Sequence, residues 1–204
     1  KLQVPLDADG YIPRIVATKE AEKIIVYTFN RHQSDLRLYA VNPRSTVAKM
    51  LIQEKNAKYV QEEAMANIKI TDSHILLPSD RDGFMQLYLY SINGSLVKKI
   101  TTGKHDVTDV YGYDEKTGNT YYQAAGKDPM NREVYVTAKN GKTECLTKRD
   151  GWSSASFSKG FKYFVNIWSD RNTPFEYSMC DKNGKRIAMV NDNSELKTKL
   201  KEYN

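Results

Sequence analysis

One hairpin is written into this chain three times. Phe84 to Lys104 reads as an apolar and aromatic strand, an Asn93-Gly94 turn and a second strand that ends near a glycine. Residues 133–147 and 175–189 repeat the pattern around Asn140-Gly141 and Asn183-Gly184. Asp35 to Ser45 is a fourth version, in which Pro43 replaces the glycine. Asn-Gly favours the two-residue type I′ turn, because both central residues must then take φ > 0 and these two tolerate it best. With turns at 43, 94, 141 and 184, the interval is loosely in the mid-forties. A repeat of that length made of short strands is the signature of β-propeller blades.

The segments between the hairpins complete the pattern. Tyr11 to Thr18 opens the first repeat, with Pro13 suited to an edge or bulge, and Ile24 to Phe29 is a continuously apolar strand of the kind covered on both faces. The second repeat has strands at Ala66–Ile70 and His74–Ser79 and a loop at Asp80–Gly83; the third has Val107–Tyr113, Asn119–Ala124 and a loop at 126–132. The fourth has Ser154–Ser158, a second doubly apolar strand at Phe161–Trp168, and a loop at Ser169–Pro174. Each repeat therefore holds four strands, which predicts an all-β chain of four four-stranded antiparallel blades, half of an eight-bladed propeller once the resemblance below is considered. The blades fall at about 11–58, 64–104, 107–150 and 152–191 of a single partial propeller domain over 1–204. Lys1 to Gly10 is a lead-in, Tyr59 to Ala66 a short helical or irregular connector, and 192–204 a linker or short helix that Ser194 can cap.

Composition excludes several classes. With 11% aromatic residues, 14 of them Tyr, strands are favoured over helices. No apolar run approaches the roughly 18 residues of a membrane span, and no charged-then-apolar leader opens the chain. The formal charge of +6 is scattered over turns and outward strand positions such as Lys98, Lys99, Lys142 and Lys185. Charges placed so solvate sheet edges; nucleic-acid binding would need a basic stripe interleaved with exposed aromatics, and none is present. Cys145 and Cys180 are too few for a disulfide framework and lack metal-ligand spacing, which leaves either one disulfide or two small strand residues.

Catalytic chemistry is sparse. Gly151-Trp-Ser153-Ser-Ala155 approaches the Gly-x-Ser-x-Gly nucleophile elbow, but the fifth residue is Ala and a strand follows where a helix is required. All three histidines, His32, His74 and His105, precede Ser153, the reverse of the hydrolase order. Glu62-Glu63 and Asp80/Asp82 read as solvated turn carboxylates, and Asp7-Ala-Asp9-Gly10 as a turn, since the further ligands of a calcium loop are missing. No catalytic residue, metal site or cofactor is expected.

A series of short motifs carries a resemblance. Tyr11-Ile-Pro-Arg-Ile, Asn30-Arg-His-Gln, Ser79-Asp-Arg-Asp-Gly-Phe, Leu87-Tyr-Leu-Tyr-Ser-Ile-Asn-Gly and Asp109-Val-Tyr-Gly-Tyr-Asp are joined by Phe157-Ser-Lys-Gly-Phe-Lys-Tyr-Phe-Val and Asp192-Asn-Ser-Glu-Leu. In this order they resemble the propeller region of bacterial dipeptidyl peptidase IV enzymes, across essentially the whole chain apart from Tyr59 to Ile70. In that family an eight-bladed propeller caps an α/β-hydrolase domain that removes N-terminal dipeptides with Pro or Ala in second place. The resemblance implies that this chain is the later half of such a propeller, without the earlier segment that carries the family's paired glutamates. It also implies a periplasmic or secreted enzyme. In relatives an aromatic and a basic residue after the loop glycine border the extended substrate pocket; here those positions are Phe84 and Met85. Met85 departs from the basic pattern, and Arg81 is the residue that can stand in for it.

Two functions are therefore expected to compete. One is a non-catalytic, substrate-gating segment of a serine exopeptidase, whose partners are the peptide substrate, the other propeller half and the hydrolase domain. The other is a free-standing interaction propeller. Four blades in a row would leave the outer faces of the first and last bare, so an exposed apolar patch is expected, which two copies meeting head to tail as a homodimer would cover; a closed four-bladed ring, ill suited to the wedge angle of an eight-bladed family, is the alternative.

Overall fold

The computed structural model describes residues 2–126 and 128–203; positions 1 and 204, and position 127 within the loop expected at 126–132, lie outside the described residues. Among the described residues sixteen strands form four four-stranded antiparallel sheets, each a simple meander in chain order. The chain divides after Thr101 into two compact units of two sheets each.

The first unit holds β1 (Tyr11–Ala17), β2 (Ile24–Phe29), β3 (Asp35–Val41) and β4 (Ala48–Lys55) in one sheet. Its second sheet is β5 (Lys69–Ile70), β6 (His74–Ser79), β7 (Gln86–Ser91) and β8 (Leu96–Lys99). Alternation along the strands decides the packing. Ile25, Tyr27 and Phe29 of β2 join Leu36, Leu38 and Ile52 in one core with Ile75, Leu77, Tyr88 and Tyr90 of the other sheet. Val26, Tyr39 and Val41 on the opposite face are covered by Leu2 and Val4, so the lead-in is a packing element and β2 is buried on both faces. Pro13 sits on edge strand β1 where the register with β2 shifts, the position a residue without an N–H can occupy.

The connector between these sheets contains α1 (Glu62–Ala66), with Ala64 buried. The strand expected from Ala66 is therefore shorter, beginning at Lys69, because Ala64, Met65 and Ala66 continue the helix while Val60 and Ile68 anchor its flanks in the core.

The second unit holds β9 (Val107–Asp114), β10 (Asn119–Ala124), β11 (Glu133–Thr137) and β12 (Thr143–Cys145), then β13 (Trp152–Phe157), β14 (Tyr163–Asp170), β15 (Thr173–Asp181) and β16 (Arg186–Asn191). Aromatic rings fill the space between its sheets: Tyr121 stacks on Phe161 at 4.5 Å and lies 4.9 Å from Phe157, which in turn meets Phe164 at 4.9 Å. The expectation of a doubly covered strand at Phe161–Trp168 does not hold. Phe161 is in the preceding turn with φ 54°, and only one face of β14 is buried, through Phe164 and Trp168. Tyr163 on the other face is 49% exposed, and at the far end of the sheet Trp152 and Phe175 flank Ser169 and are exposed as well.

The hairpin turns also differ from expectation. Only the glycines take positive φ, 89° at Gly94, 88° at Gly141 and 83° at Gly184; the asparagines before them do not. Gly94 N–H donates to Ser91 O and Ser91 N–H to Ser95 O, and the same pair of bonds recurs at 138–142 and 181–185. These are three-residue loops, a type I turn followed by a left-handed glycine, and not type I′ turns. At Asn42-Pro43 the proline cannot take the left-handed position, so the loop lengthens and Thr46 takes it instead, with φ 63°. After β16, Asn193 and not Ser194 occupies the N-cap position of α2 (Ser194–Leu200), without a side-chain capping bond, and Ser194 N–H donates to Asp192 Oδ1 at 3.0 Å; a 3₁₀ turn at Lys201–Tyr203 follows.

Candidate functional site

The residues singled out in the sequence lie in the loop between β6 and β7. Gly83 donates its N–H to Asp80 O at 2.8 Å and turns the chain with φ 92° in open space. The next side chain, Phe84, is 36% exposed. Met85 is 8% exposed, so little of its side chain reaches the surface. It is the last residue before a strand buried on both faces, so the chain has already turned inward there.

Arg81 is held by its own unit. Its Nε donates to Ser79 Oγ at 2.9 Å, one terminal nitrogen donates to Tyr90 OH at 2.9 Å, and the other pairs with Glu54 of β4. The guanidinium also lies 4.4 Å over the Tyr88 ring. Burial disfavours the charged guanidinium, but the Tyr90 bond and Glu54 outweigh it and hold the proton more tightly than usual. Glu54 is 5% exposed and also accepts from Ser79 Oγ. The guanidinium thus works first as a clasp between the two sheets of the unit, with donors committed to protein partners.

A second charge set frames the loop. Asp82 accepts from Lys99 Nζ and from Tyr88 OH, each at 2.6 Å, and these two bonds draw its carboxyl below the usual range. Tyr88 is pushed up, chiefly by burial and then by its bond to Asp82. Asp80 accepts from Asn56 Nδ2 at 3.2 Å. The sequence marked the loop but not Glu54, Tyr88, Tyr90 or Lys99. The Tyr88/Tyr90 alternation was the available signal, since tyrosines that are buried need a partner for the hydroxyl.

The remaining candidates lie elsewhere. Ser153 is fully buried in β13, and its Oγ has no hydrogen-bond partner among the described residues, so nothing activates it as a nucleophile. His74 is bonded to Ser73 Oγ, His32 is in an exposed loop, and Glu62 and Glu63 form the first turn of α1. Asp7 closes a turn by accepting the Gly10 N–H. Both cysteines are free thiols: burial pushes Cys145 up to about 11, with Glu133 adding to it, and also raises Cys180. Among the described residues no group of three His, Cys, Asp or Glu is placed to hold a metal, and no helix is long and apolar enough to cross a membrane.

Comparison with known proteins adds what the loop alone does not. Residues 1–175 match the family described as the dipeptidyl peptidase IV (DPP IV) N-terminal region. Dipeptidyl peptidase 4 of Arthroderma otae is 32% identical over 130 residues, 61% of this chain and 17% of that protein. Among solved structures, Porphyromonas gingivalis dipeptidyl peptidase 4 matches with a TM-score of 0.95 and 37% identity, over 98% of this chain and 29% of that one. A putative dipeptidyl aminopeptidase IV from Bacteroides ovatus shares the fold, with a TM-score of 0.76 and 20% identity over 92% of this chain and 30% of that one. The chain thus spans less than a third of the length of each of these relatives. Its four sheets are blades of a partial β-propeller.

Proposed function

Because this chain belongs to the family of dipeptidyl peptidase IV N-terminal regions, we propose that it is the non-catalytic propeller segment of a serine exopeptidase, capping the hydrolase domain and helping to admit and position peptide substrates. The observation that carries this reading is the match to the Porphyromonas gingivalis enzyme over 98% of the chain. The family relationship supports release of N-terminal dipeptides with Pro or Ala in second place by the whole enzyme, in the periplasm or outside the cell. Within this segment Phe84 is the residue proposed to meet substrate, since it is the exposed aromatic at the tip of the loop. Arg81 and the Asp82–Lys99 pair act behind it, holding the loop in place. The exposed apolar face of the last sheet, with Trp152 and Phe175, supports an interface with another part of the enzyme or a second copy of the chain.

The test is kinetic, on the whole enzyme. Phe84→Ala is expected to raise KM for longer peptides several-fold while kcat for a chromogenic dipeptide substrate holds, the pattern of lost uniform binding. Unchanged KM across peptide lengths would remove Phe84 from substrate contact. The 204-residue chain alone should not cleave Gly-Pro or Ala-Pro substrates; turnover that survives repurification and is lost in Ser153→Ala would overturn the non-catalytic assignment.

A further inference from the structure

The three glycine turns carry a chemical liability that the fold distributes unequally. A backbone N–H next to an asparagine side chain can attack it when the following residue is glycine, because no side chain crowds the approach. In that reaction the Gly nitrogen forms a bond to Asn Cγ and loses its proton, and the side-chain nitrogen leaves as ammonia. Water then opens the resulting succinimide to aspartate or isoaspartate. Two of the turns share the same local sequence, Lys139-Asn140-Gly141-Lys142 and Lys182-Asn183-Gly184-Lys185, so a rate difference between them reports the fold and not the peptide.

Each glycine N–H is engaged in the turn bond, Gly141 to Ala138 O at 2.8 Å and Gly184 to Asp181 O at 3.0 Å, so the loop must open before attack. Opening is opposed unequally. At 181–185 the Asp181 carboxylate accepts from the N–H groups of Asn183 and Lys185, both at 2.9 Å, and the turn abuts the Leu146 backbone at Gly184. At 91–95 Ser91 Oγ accepts from Ser95 N–H at 3.2 Å, and Gly94 abuts the Leu51 backbone. The third loop starts with Ala138, which has no side-chain acceptor, and a Cβ added at Gly141 would meet nothing within 4 Å among the described residues of its unit. Asn140 and Gly141 are both exposed, and the side-chain bond across this loop tip is made by Asn140 itself, whose Oδ1 accepts from Lys142 N–H at 3.0 Å and is the group lost from that bond when the side chain reacts.

We propose that Asn140 is a self-modification site, the Asn-Gly position at which this protein converts to aspartate and isoaspartate in its folded state, while Asn93 and Asn183 are protected. The product would place a carboxylate between Lys139 and Lys142 and, as isoaspartate, lengthen the backbone of the hairpin tip. The reaction needs only water and mild base.

The experiment is incubation of the intact folded protein at mildly alkaline pH, with peptide mass spectrometry and isoaspartate detection at all three sites, beside a sample held unfolded in urea. The folded protein is expected to convert at Asn140 well ahead of Asn183, while in urea these two should react at similar rates. Ala138→Asp, which supplies the acceptor that Asp181 provides, should slow Asn140 by about two- to tenfold, the equivalent of one turn-capping hydrogen bond. Folded-state conversion at Asn183 or Asn93 as fast as at Asn140, or no conversion at Asn140, would overturn the proposal.

Discussion

Gly141 and Gly184 offer a controlled measurement of why propeller hairpins keep their glycines. Both lie in the second unit, both sit in the same Lys-Asn-Gly-Lys sequence, and their φ angles are 88° and 83°. The backbone penalty of replacing either with alanine is therefore the same, about 1–2 kcal/mol for an L-residue in the left-handed region. Their surroundings differ. A Cβ on Gly141 meets nothing within 4 Å in its unit, whereas one on Gly184 would fall far inside contact distance of the Leu146 carbonyl oxygen. That neighbour is main chain just after β12, and Leu146 N–H is itself bonded to Val134 O, so it cannot swing aside like a side-chain tip. Relieving the overlap should cost a further 1–3 kcal/mol or so. Gly141→Ala is thus expected to destabilise by about 1–2 kcal/mol and Gly184→Ala by roughly 2–5. Urea denaturation followed by tryptophan fluorescence is a suitable assay, because Trp152 and Trp168 both belong to this unit. Equal shifts in the midpoint at unchanged slope would refute the reasoning, since φ alone would then explain both losses. Gly141→Asn adds a sharper arm: asparagine tolerates the left-handed region, so it should lose less than alanine at 141.

In the β6–β7 loop, Phe84→Ala should change stability by less than about 1 kcal/mol, whereas Leu89→Ala, 1% exposed, should cost about 2–5; equal losses in a denaturant melt would place Phe84 in the core. Arg81→Ala should cost about 3–5 kcal/mol because it strands the buried Glu54 carboxylate, and Glu54→Gln in the same background should recover part of that loss; no recovery would mean that the ion pair is not what the loop depends on. Glu176 accepts from Lys197 and Arg149, each at 2.5 Å; burial pushes its carboxyl up, but the two cations outweigh it and leave it below the usual range. A depressed folded value means that its stabilisation is full above the unfolded carboxylate pKa of about 4.3 and is lost as pH falls through the folded value. Glu176→Gln should therefore cost about 1–3 kcal/mol at neutral pH, and the gap to the wild type should close in acid melts; a gap independent of pH would rule out the charge as its source.

How far the fold was legible follows from which interactions are local. Period-two alternation and recurrent Asn-Gly pairs are properties of a few neighbouring residues, and they placed the hairpins and the four-strand repeat in the right segments. The turn type is not legible locally, because a left-handed glycine suits both a type I′ turn and a type I turn with a bulge, and loop length is decided by strand register. Residues 24–29 and 161–168 look alike as apolar runs, yet the first is covered by Leu2 and Val4 on one face and a second sheet on the other, while the last sheet leaves Tyr163 exposed. Coverage belongs to the neighbour, so no strand announces it.

The same logic explains the site. Arg81 was visible as a cation in a charged loop, the usual description of a residue free to meet a ligand. Its partner Glu54 lies 27 residues earlier on another sheet, and only the packing of β4 against the β6–β7 loop brings them together. A carboxylate that is 5% exposed must be paired, and the arginine that pairs it loses freedom to bind elsewhere. Exposure then separates roles that sequence spacing could not: Phe84 remains at the surface, Met85 turns inward, and Arg81 becomes the clasp behind them. A loop positioned in this way presents one aromatic side chain on a rigid base, so a substrate effect at Phe84 and a stability effect at Arg81 should be separable by mutation.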